Sequence, residues 1–270
     1  MLGAILGDII GSPYEFSEQV EGPDAFPLFS KDSRFTDDTV LTLAVANGIL
    51  EAGRSRARTA DAVKSEMQRL GKLYPDAGYG ARFIQWLESP HPRPYQSWGN
   101  GSAMRVSSVG WMFDSMSDVM DFAEITSSIT HNSQEGIKGA QAVAGSIFLA
   151  REGASKRQIR SFLEHDLGYD FSEENISYLR IKAQRKPGWG VSCMATVPLA
   201  LDAFSRSQNF EGAVREAIAG GVDTDTVADI AGAVAEAYYG IPFRIRQKGL
   251  KYLDASLLQI YNNYLNCIDA

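Results

Sequence analysis

Apolar residues recur at helical spacing in three stretches of the chain, and each stretch opens on polar residues and closes near a glycine. This pattern predicts helices over residues 37–52, 134–150 and 226–239. Small residues such as Gly139 and Gly145 would let another helix approach the second of these closely. The third is apolar on nearly every side, which is typical of a buried helix.

Weaker helical patterns run through much of the remaining chain, and sustained two-residue alternation, the mark of strands, is scarce. These patterns predict further helices over residues 58–70, 117–127, 156–163, 196–204, 209–219 and 256–266. Proline, glycine and polar residues instead predict loops over residues 23–35, 89–101 and 186–190. Because no repeat or linker divides the sequence, we predict an all-α fold and a single domain over residues 1–270.

Composition narrows the class of protein. The 270 residues are 44% hydrophobic and 22% charged, and 33 acidic against 26 basic residues give a net charge of −7. This acidity, without a dense basic stripe, argues against nucleic acid as the main partner. The apolar start over residues 1–10 is interrupted by Asp8 and is too short for a membrane span. We therefore expect a cytoplasmic monomer without a membrane partner.

Two short acidic motifs stand where the first and third predicted helices begin. Residues 35–39 read Phe-Thr-Asp-Asp-Thr, and residues 222–226 read Val-Asp-Thr-Asp-Thr. Helix capping explains one carboxylate in each motif, because a side-chain oxygen can accept a backbone N–H at a helix start. It does not explain the second, since two like charges about 4 Å apart repel by roughly 4 kcal/mol at an effective dielectric of about 20. No Lys or Arg lies in either motif to offset this repulsion.

Carboxylate and hydroxyl oxygens are hard ligands that favour Mg²⁺, Mn²⁺ or Ca²⁺. If the two helix starts face each other, the acidic and hydroxyl side chains of both motifs could hold two divalent ions: Thr36, Asp37, Asp38, Asp223, Asp225 and Thr226. Glu15 would add a fifth carboxylate, so that −5 against +4 nearly balances. Spacing along the chain does not show that the motifs meet, and the alternative in which the aspartates only cap their helices stays open.

A glycine loop and one histidine are further candidates for ligand contact. Residues 99–104 read Gly-Asn-Gly-Ser-Ala-Met, which fits neither a nucleophile elbow nor a dinucleotide fingerprint, because Met104 stands where each requires glycine. Such a loop either lets its backbone approach a ligand closely or forms a tight turn before a helix. His131 lies in a polar turn, where it could contact a ligand or cap the following helix. Trp98 could stack on a base or simply pack.

Together these motifs resemble those of the ADP-ribosylglycohydrolase family, which includes the dinitrogenase reductase activating glycohydrolase. In chain order the matching pieces are Gly7-Asp8 to Glu15, residues 35–39, residues 99–105, Thr130-His131-Asn132 and residues 223–240. They extend over almost the whole chain. The order of the two acidic motifs, with the glycine loop between them, argues against a chance match.

The resemblance implies an all-helical fold in which two Mg²⁺ or Mn²⁺ ions lie between the acidic motifs and ADP-ribose is cleaved from an acceptor. By position in the motifs, it implies that the metal ligands are Thr36, Asp37, Asp38, Asp223, Asp225 and Thr226, with Glu15 a ligand or gate at the metal edge. It also implies that an ADP-ribose cleft is lined by Gly99, Asn100, Gly101 and Ser102, with His131 near the phosphates or ribose.

From the resemblance and the residues together, we expect Asp37 or Asp38 to accept a proton from the attacking water. Glu15 is expected to protonate the leaving group, although a metal-bound carboxylate is a poor acid and Glu15 could be a ligand only. The expected substrate is an ADP-ribosylated protein.

The sequence departs from the usual pattern of the family at three places. Val222 stands where a second glycine is usual, Asp229 stands where a small residue is usual, and Ser133-Gln134 replaces His-Pro after Thr-His-Asn. Two alternative functions remain, namely a catalytically silent relative that binds ADP-ribose and a metal-dependent nucleotide pyrophosphohydrolase. The sequence does not rank the acceptor linkages, which include arginine, serine, an ester, another ADP-ribose and nucleic acid.

Overall fold

Helices make up the regular secondary structure of the chain. The structure, a computed structural model, describes residues 1–15, 20 and 22–268. Within those ranges there are sixteen α-helices and no strand, which confirms the all-α prediction. In chain order the helices are α1 Leu2–Gly11, α2 Asp37–Glu51, α3 Arg56–Leu73, α4 Ala81–Glu88, α5 Gly101–Met104, α6 Val109–Met112, α7 Met116–Ser127, α8 Gln134–Arg151, α9 Lys156–Ser161, α10 Glu173–Arg185, α11 Pro187–Gly190, α12 Cys193–Arg206, α13 Phe210–Ala219, α14 Thr224–Tyr239, α15 Phe243–Gly249 and α16 Ala255–Ile268.

Helix α14 lies at the centre of the fold. It packs against α1, α8, α12 and α13, and every residue from Thr224 through Ala235 is buried. The prediction of a buried helix over residues 226–239 is therefore confirmed, with its start moved forward to Thr224.

Helix α1 packs against α14 through glycines. Gly3, Gly7 and Gly11 recur every fourth residue, so they lie on one face of the helix. A Cβ atom at Gly7 would lie 2.0 Å from the carbonyl oxygen of Ala228, and one at Gly3 would lie 2.2 Å from that of Gly232. Glycine is required here because any side chain would push the two backbones apart.

The pairing of α1 with α14 brings the two acidic motifs together. The Thr224 hydroxyl donates to the carbonyl oxygen of Gly11 at 3.0 Å, which ties the start of α14 to the end of α1. The buried carboxylate of Asp8 accepts the backbone N–H groups of Thr36 (2.9 Å) and Thr39 (3.2 Å), together with both of their hydroxyls. Because these threonines flank the start of α2, helix α1 fixes the starts of both α2 and α14.

The other helix predictions hold with small shifts at the ends, and seven helices in the described ranges were not predicted. Four of these have seven residues or more, α1, α4, α10 and α15, and three are single turns, α5, α6 and α11. Helix α1 escapes prediction because all of its residues are buried, so it has no polar face to reveal its period. The helix predicted over residues 156–163 ends instead at Ser161 and continues as a π-helical turn, Phe162–Asp166.

The loop prediction for residues 186–190 is wrong, because α11 forms a single helical turn there. The carbonyl oxygen of Lys186 accepts the N–H groups of Trp189 (2.8 Å) and Gly190 (3.0 Å). Pro187 occupies the first helical position, where its fixed φ favours the helix. The predicted loops over residues 23–35 and 89–101 are irregular up to the start of α5 at Gly101. No helix in the described ranges combines the length and apolarity that crossing a bilayer requires.

Candidate active site

The two acidic motifs meet at one end of a cavity of about 470 Å³. Its acidic end is lined by side chains from both motifs and from the segment after α1: Glu15, Asp37, Asp38, Asp223, Asp225 and Thr226. Asp37 and Asp38 occupy the first turn of α2, and Asp225 occupies the first turn of α14. The structure thus brings together residues whose meeting the sequence left open, and Thr36 lies next to them as the N-cap of α2.

Three of the carboxylates form a group with the spacing of a cation site. One oxygen each from Glu15, Asp223 and Asp225 lie within 4.8 Å of one another. The side-chain amide of Asn100 donates to Asp223 and also to the Thr196 hydroxyl at 3.0 Å. The side-chain amide of Asn100, which was predicted to bind substrate, therefore donates to Asp223 and Thr196 and helps to orient Asp223.

Buried carboxylate oxygens without partners lie beside this group. Asp38 is 2% exposed, and its Oδ2 atom has no hydrogen-bond partner among the described residues. Asp229, one turn beyond Asp225 on α14, is fully buried, and neither of its carboxylate oxygens has a partner in that part of the chain. A buried carboxylate without a hydrogen bond is costly unless it is protonated or bound to a cation.

Burial and mutual repulsion raise the pKa values of the acidic end. Burial, followed by the charge of Asp223, raises the pKa of Glu15 to about 7. Burial, followed by the charges of Asp8 and Asp223, raises the pKa of Asp37 to about 8. Burial raises the pKa of Asp223 to about 6, against the hydrogen bond from Asn100.

The pKa values of Asp38 and Asp225 also lie well above their ordinary value, first through burial and then through a neighbouring aspartate. The protein alone therefore does not stabilise five negative charges here at neutral pH.

The chemistry of these residues fits divalent cations. Within the described ranges, none of the five carboxylates forms an ion pair with a Lys or Arg. All of the candidate ligands offer oxygen, which suits Mg²⁺ and Mn²⁺. The unpartnered Oδ2 of Asp38 is a ligand atom that nothing else in the described protein uses.

The other end of the cavity is formed by the glycine loop, His131 and two arginines. Gly99 and Gly101 line it together with Arg82, Arg105 and His131. Desolvation by burial, with smaller contributions from the two arginines, holds the pKa of His131 well below its ordinary value. The cavity is therefore acidic at one end and rich in hydrogen-bond donors at the other.

The glycine loop is anchored from behind. The Ser102 hydroxyl donates to the carbonyl oxygen of Gly136 at 2.7 Å, and Ser102 is not among the residues that line the cavity. The thiol of Cys193 donates to the carbonyl oxygen of Gly99 at 3.1 Å. Ser102, predicted to bind substrate, is thus placed to hold the loop in shape, whereas Trp98 lines the cavity and is 44% exposed.

Three residues with structural tasks at this site were missed from the sequence. Asp8 holds the start of α2, Arg105 supports the loop through Gly101, and Arg82 lines the cavity. The four-residue spacing of Gly3, Gly7 and Gly11 could have shown that α1 packs closely and that Asp8 is buried. No comparable pattern marks Arg82.

Val222, which precedes the second acidic motif, has an unusual backbone. Its φ is +94°, in the region that favours glycine, and the preceding Gly221 has φ +67°. A β-branched side chain at such a φ is strained. The side chain extends towards α11, where a Cβ at Gly190 would lie 2.6 Å from Val222 Cγ1.

An all-helical fold with clustered carboxylates and a glycine loop lining one cavity agrees with the class of glycosidic-bond hydrolases that the sequence resemblance implied. The chain belongs to the ADP-ribosylglycohydrolase family, whose sequence profile matches residues 1–265. It is 28% identical to human ADP-ribosylhydrolase ARH3 over 89% of this chain and 84% of that protein. It is 27% identical to ADP-ribosylarginine hydrolase Tri1 of Pseudomonas putida over 89% of this chain and 70% of that protein.

A solved structure shares the fold. The ADP-ribosylglycohydrolase-related protein complex superposes with a TM-score of 0.65 and 23% sequence identity, over 97% of this chain and 95% of the other. The chain is accordingly an enzyme of the ADP-ribosyl hydrolase type.

Proposed function

We propose that this enzyme uses two divalent cations to hydrolyse the bond between ADP-ribose and a modified protein side chain, releasing free ADP-ribose. The observation that carries the proposal is that one cavity is lined both by clustered carboxylates and by the hydrogen-bond donors around the glycine loop. A pyrophosphate is anionic and fits the donor-rich end, which directs the ribose that carries the scissile bond towards the carboxylates.

The residues proposed to hold the cations are the oxygen ligands of both acidic motifs: Thr36, Asp37, Asp38, Asp223, Asp225 and Thr226. When bound, divalent cations would supply Lewis-acid activation of water and orientation of the ribose hydroxyls. The protein contributes the rest. Asn100 orients Asp223, and Asp8 orients Thr36 through its backbone N–H and hydroxyl.

Two carboxylates near the reacting end are proposed to move protons. Asp37, half-buried at the start of α2, accepts a proton from the attacking water, with Asp38 as the alternative. Glu15 protonates the leaving group, and a pKa of about 7 leaves it partly protonated at neutral pH. The proximity of Glu15 to Asp223 and Asp225 equally supports a role as a cation ligand.

The substrate is proposed to be an ADP-ribosylated protein, in keeping with the names of the relatives. ADP-ribosylarginine hydrolase Tri1 is named for arginine, and ADP-ribosylhydrolase ARH3 is named for no particular linkage. A panel of ADP-ribose linkages to arginine, serine, an ester, another ADP-ribose and nucleic acid identifies the acceptor.

The decisive experiment measures products from this panel with and without a chelator. We expect free ADP-ribose from at least one linkage, and no release once Mg²⁺ and Mn²⁺ are removed. Release of AMP, with phosphoribose left on the acceptor, would favour a pyrophosphohydrolase instead. ADP-ribose binding without turnover on any linkage would indicate a silent relative.

Substitution of the proposed cation ligands tests the site itself. Asp38→Asn and Asp225→Asn should each lower kcat by at least about a hundredfold, since even residues that only support a metal ligand cost 10–100-fold. Asp61→Asn, at a side chain that is 83% exposed, is the matched control and should retain activity. Full turnover by either site variant would contradict the cation role.

Glu15→Gln separates the two roles of Glu15. If Glu15 is the acid, the variant keeps its cation affinity and loses kcat mainly on poor leaving groups, with activity recovered on an activated ester. If Glu15 is a ligand only, cation affinity measured by titration calorimetry falls, and the loss of kcat is similar for every leaving group.

A further inference from the structure

A chain of three hydrogen-bonded side chains lies behind the donor-rich end of the cavity. Arg105 Nη2 donates to the Thr130 hydroxyl oxygen at 2.8 Å, and that oxygen lies 2.6 Å from Nδ1 of His131. Arg105 and Thr130 are 1% and 0% exposed. Arg105 is itself held in place by the carbonyl oxygen of Gly101 at 2.7 Å.

The hydrogen-bonding capacity of Thr130 selects one form of His131. The hydroxyl has one proton and two lone pairs, and Arg105 occupies one of the lone pairs. If His131 Nδ1 carried a proton, it would fill the second lone pair and leave the buried hydroxyl proton without an acceptor among the described residues. That loss is costly. The hydroxyl therefore donates to an unprotonated Nδ1, and the proton of the neutral ring lies on Nε2.

The protonated nitrogen faces the glycine loop. A Cβ at Gly101 would lie 3.2 Å from Nε2, and one at Gly99 would lie 3.6 Å from it. Nε2 has no hydrogen-bond partner within the described ranges, and His131 lines the cavity. Burial and the nearby positive charges of Arg105 and Arg82 disfavour a second proton on the ring, and the pKa of His131 is lowered accordingly.

We propose that Arg105 and Thr130 are positioning residues that hold His131 as an Nε2–H donor, aimed at an anionic oxygen of the ligand in the glycine-loop half of the cavity. The inference rests on the proposed function for the identity of the ligand, whose pyrophosphate supplies that oxygen. It also excludes His131 as a base, because its only free ring nitrogen carries the proton. Proton transfer is thus left to the carboxylates at the other end.

Nitrogen NMR of the ligand-free protein tests the form of the ring. With ¹⁵N-labelled histidine, the signal that disappears in His131→Asn should show a protonated Nε2 and an unprotonated Nδ1 at pH 7. His91 and His165 are both exposed and serve as internal references. A protonated Nδ1, alone or together with Nε2, would overturn the proposal.

Substitutions at Thr130 test the positioning. Thr130→Val keeps the shape and removes the hydroxyl, so His131 should become a mixture of both neutral forms, and ADP-ribose should bind roughly tenfold more weakly. Thr130→Ser keeps a hydroxyl at this position, so both the Nε2-protonated form of His131 and the wild-type affinity for ADP-ribose should be retained. Unchanged ADP-ribose affinity in a folded Thr130→Val protein whose ring form has changed would refute the ligand contact. If the wild-type protein has the expected ring form but does not bind ADP-ribose, the proposed function fails and the assignment of the ring stands.

Discussion

Val222 has a strained backbone next to the second acidic motif. Its φ of +94° suits glycine, and the sequence comparison with the family pattern had already marked this position as a departure. Strain of this kind costs on the order of 1–3 kcal/mol and persists only where surrounding packing imposes it. Here the side chain extends against Gly190 of α11, so the strain connects the acidic motif with the cavity wall.

At position 222, glycine should stabilise the protein more than alanine, which is the reverse of the usual order. We expect Val222→Gly to have a free energy of unfolding about 1 kcal/mol above that of Val222→Ala, because only glycine adopts a positive φ without steric cost. Val191, with φ −83°, is the matched control, and there the alanine variant should be the more stable. Denaturant unfolding gives the free energy of unfolding of the glycine and alanine variants at Val222 and at Val191. The same ranking at both positions would contradict the strain.

For single residues, the sequence predicted more of the residues that line the cavity than of the contacts that each residue makes. That the two acidic motifs and Glu15 meet was implied by the resemblance to the family, because clustered carboxylates without a counter-charge suggest a shared cation but leave the meeting of the motifs open. The tasks of Asn100 and Ser102 were not predictable, since each is set by a partner far along the chain. Those partners, Asp223 and Gly136, are brought close only by the tertiary fold.

At the scale of helices, the contact between α1 and α14 determines the geometry of the site. The glycine face of α1 allows the two helices to touch backbone to backbone, and Asp8 next to Gly7 then reaches the start of α2. Position and orientation of both acidic motifs therefore depend on a helix that contributes no side chain to the carboxylate end of the cavity.

Gly7→Ala should disrupt this contact. An added Cβ would lie 2.0 Å from the Ala228 carbonyl oxygen, and two backbones cannot yield as a flexible side chain would. We expect a loss of about 3 kcal/mol or more in the free energy of unfolding, at the upper end of the cost of overpacking. Gly22→Ala is the control, because a Cβ there meets nothing within 4 Å. If Gly7→Ala and Gly22→Ala unfold at similar temperatures, then α1 and α14 can move apart at little cost in free energy.

Longer helices with a repeating apolar pattern, including the buried α14, were predictable from the sequence, whereas the short buried α1 and the mostly polar α10 were not. Helices α2 and α8 begin at the predicted residues because a capping side chain precedes each start. Helix α1 is buried on all sides and α10 is mostly polar, so neither shows a clear apolar stripe. Their existence depends on tertiary packing, which a single sequence does not display.

At the scale of the whole molecule, the raised pKa values couple stability to pH. Glu15, Asp37 and Asp223 have pKa values of about 7, 8 and 6, against ordinary values of 4.5 for Glu and 3.8 for Asp. Between the ordinary and the raised values, the unfolded chain has released protons that the folded protein still binds. The metal-free protein should therefore lose stability as the pH rises from about 4 to about 8.

Cations should stabilise the protein more as the pH rises, because they compete with these protons for the carboxylates. We expect the increase in Tm produced by saturating Mn²⁺ to be small at about pH 5.5 and to grow up to about pH 8. Asp225→Asn, measured in parallel, should show a smaller increase throughout. Scanning fluorimetry in the presence of either chelator or Mn²⁺ measures Tm. An increase in Tm that does not change with pH would argue against displacement of protons by the cation.

Asn100 belongs to the glycine loop and also donates to Asp223, so the loop and the acidic cluster are directly connected. A ligand that orders the loop should therefore also order the Asp223 carboxylate, and a cation bound to Asp223 should order the loop. Thermodynamic linkage makes such an effect reciprocal, so the factor by which a cation tightens ADP-ribose is the factor by which ADP-ribose tightens the cation. ADP-ribose left in the cavity would then raise the concentration of chelator needed to remove the metal.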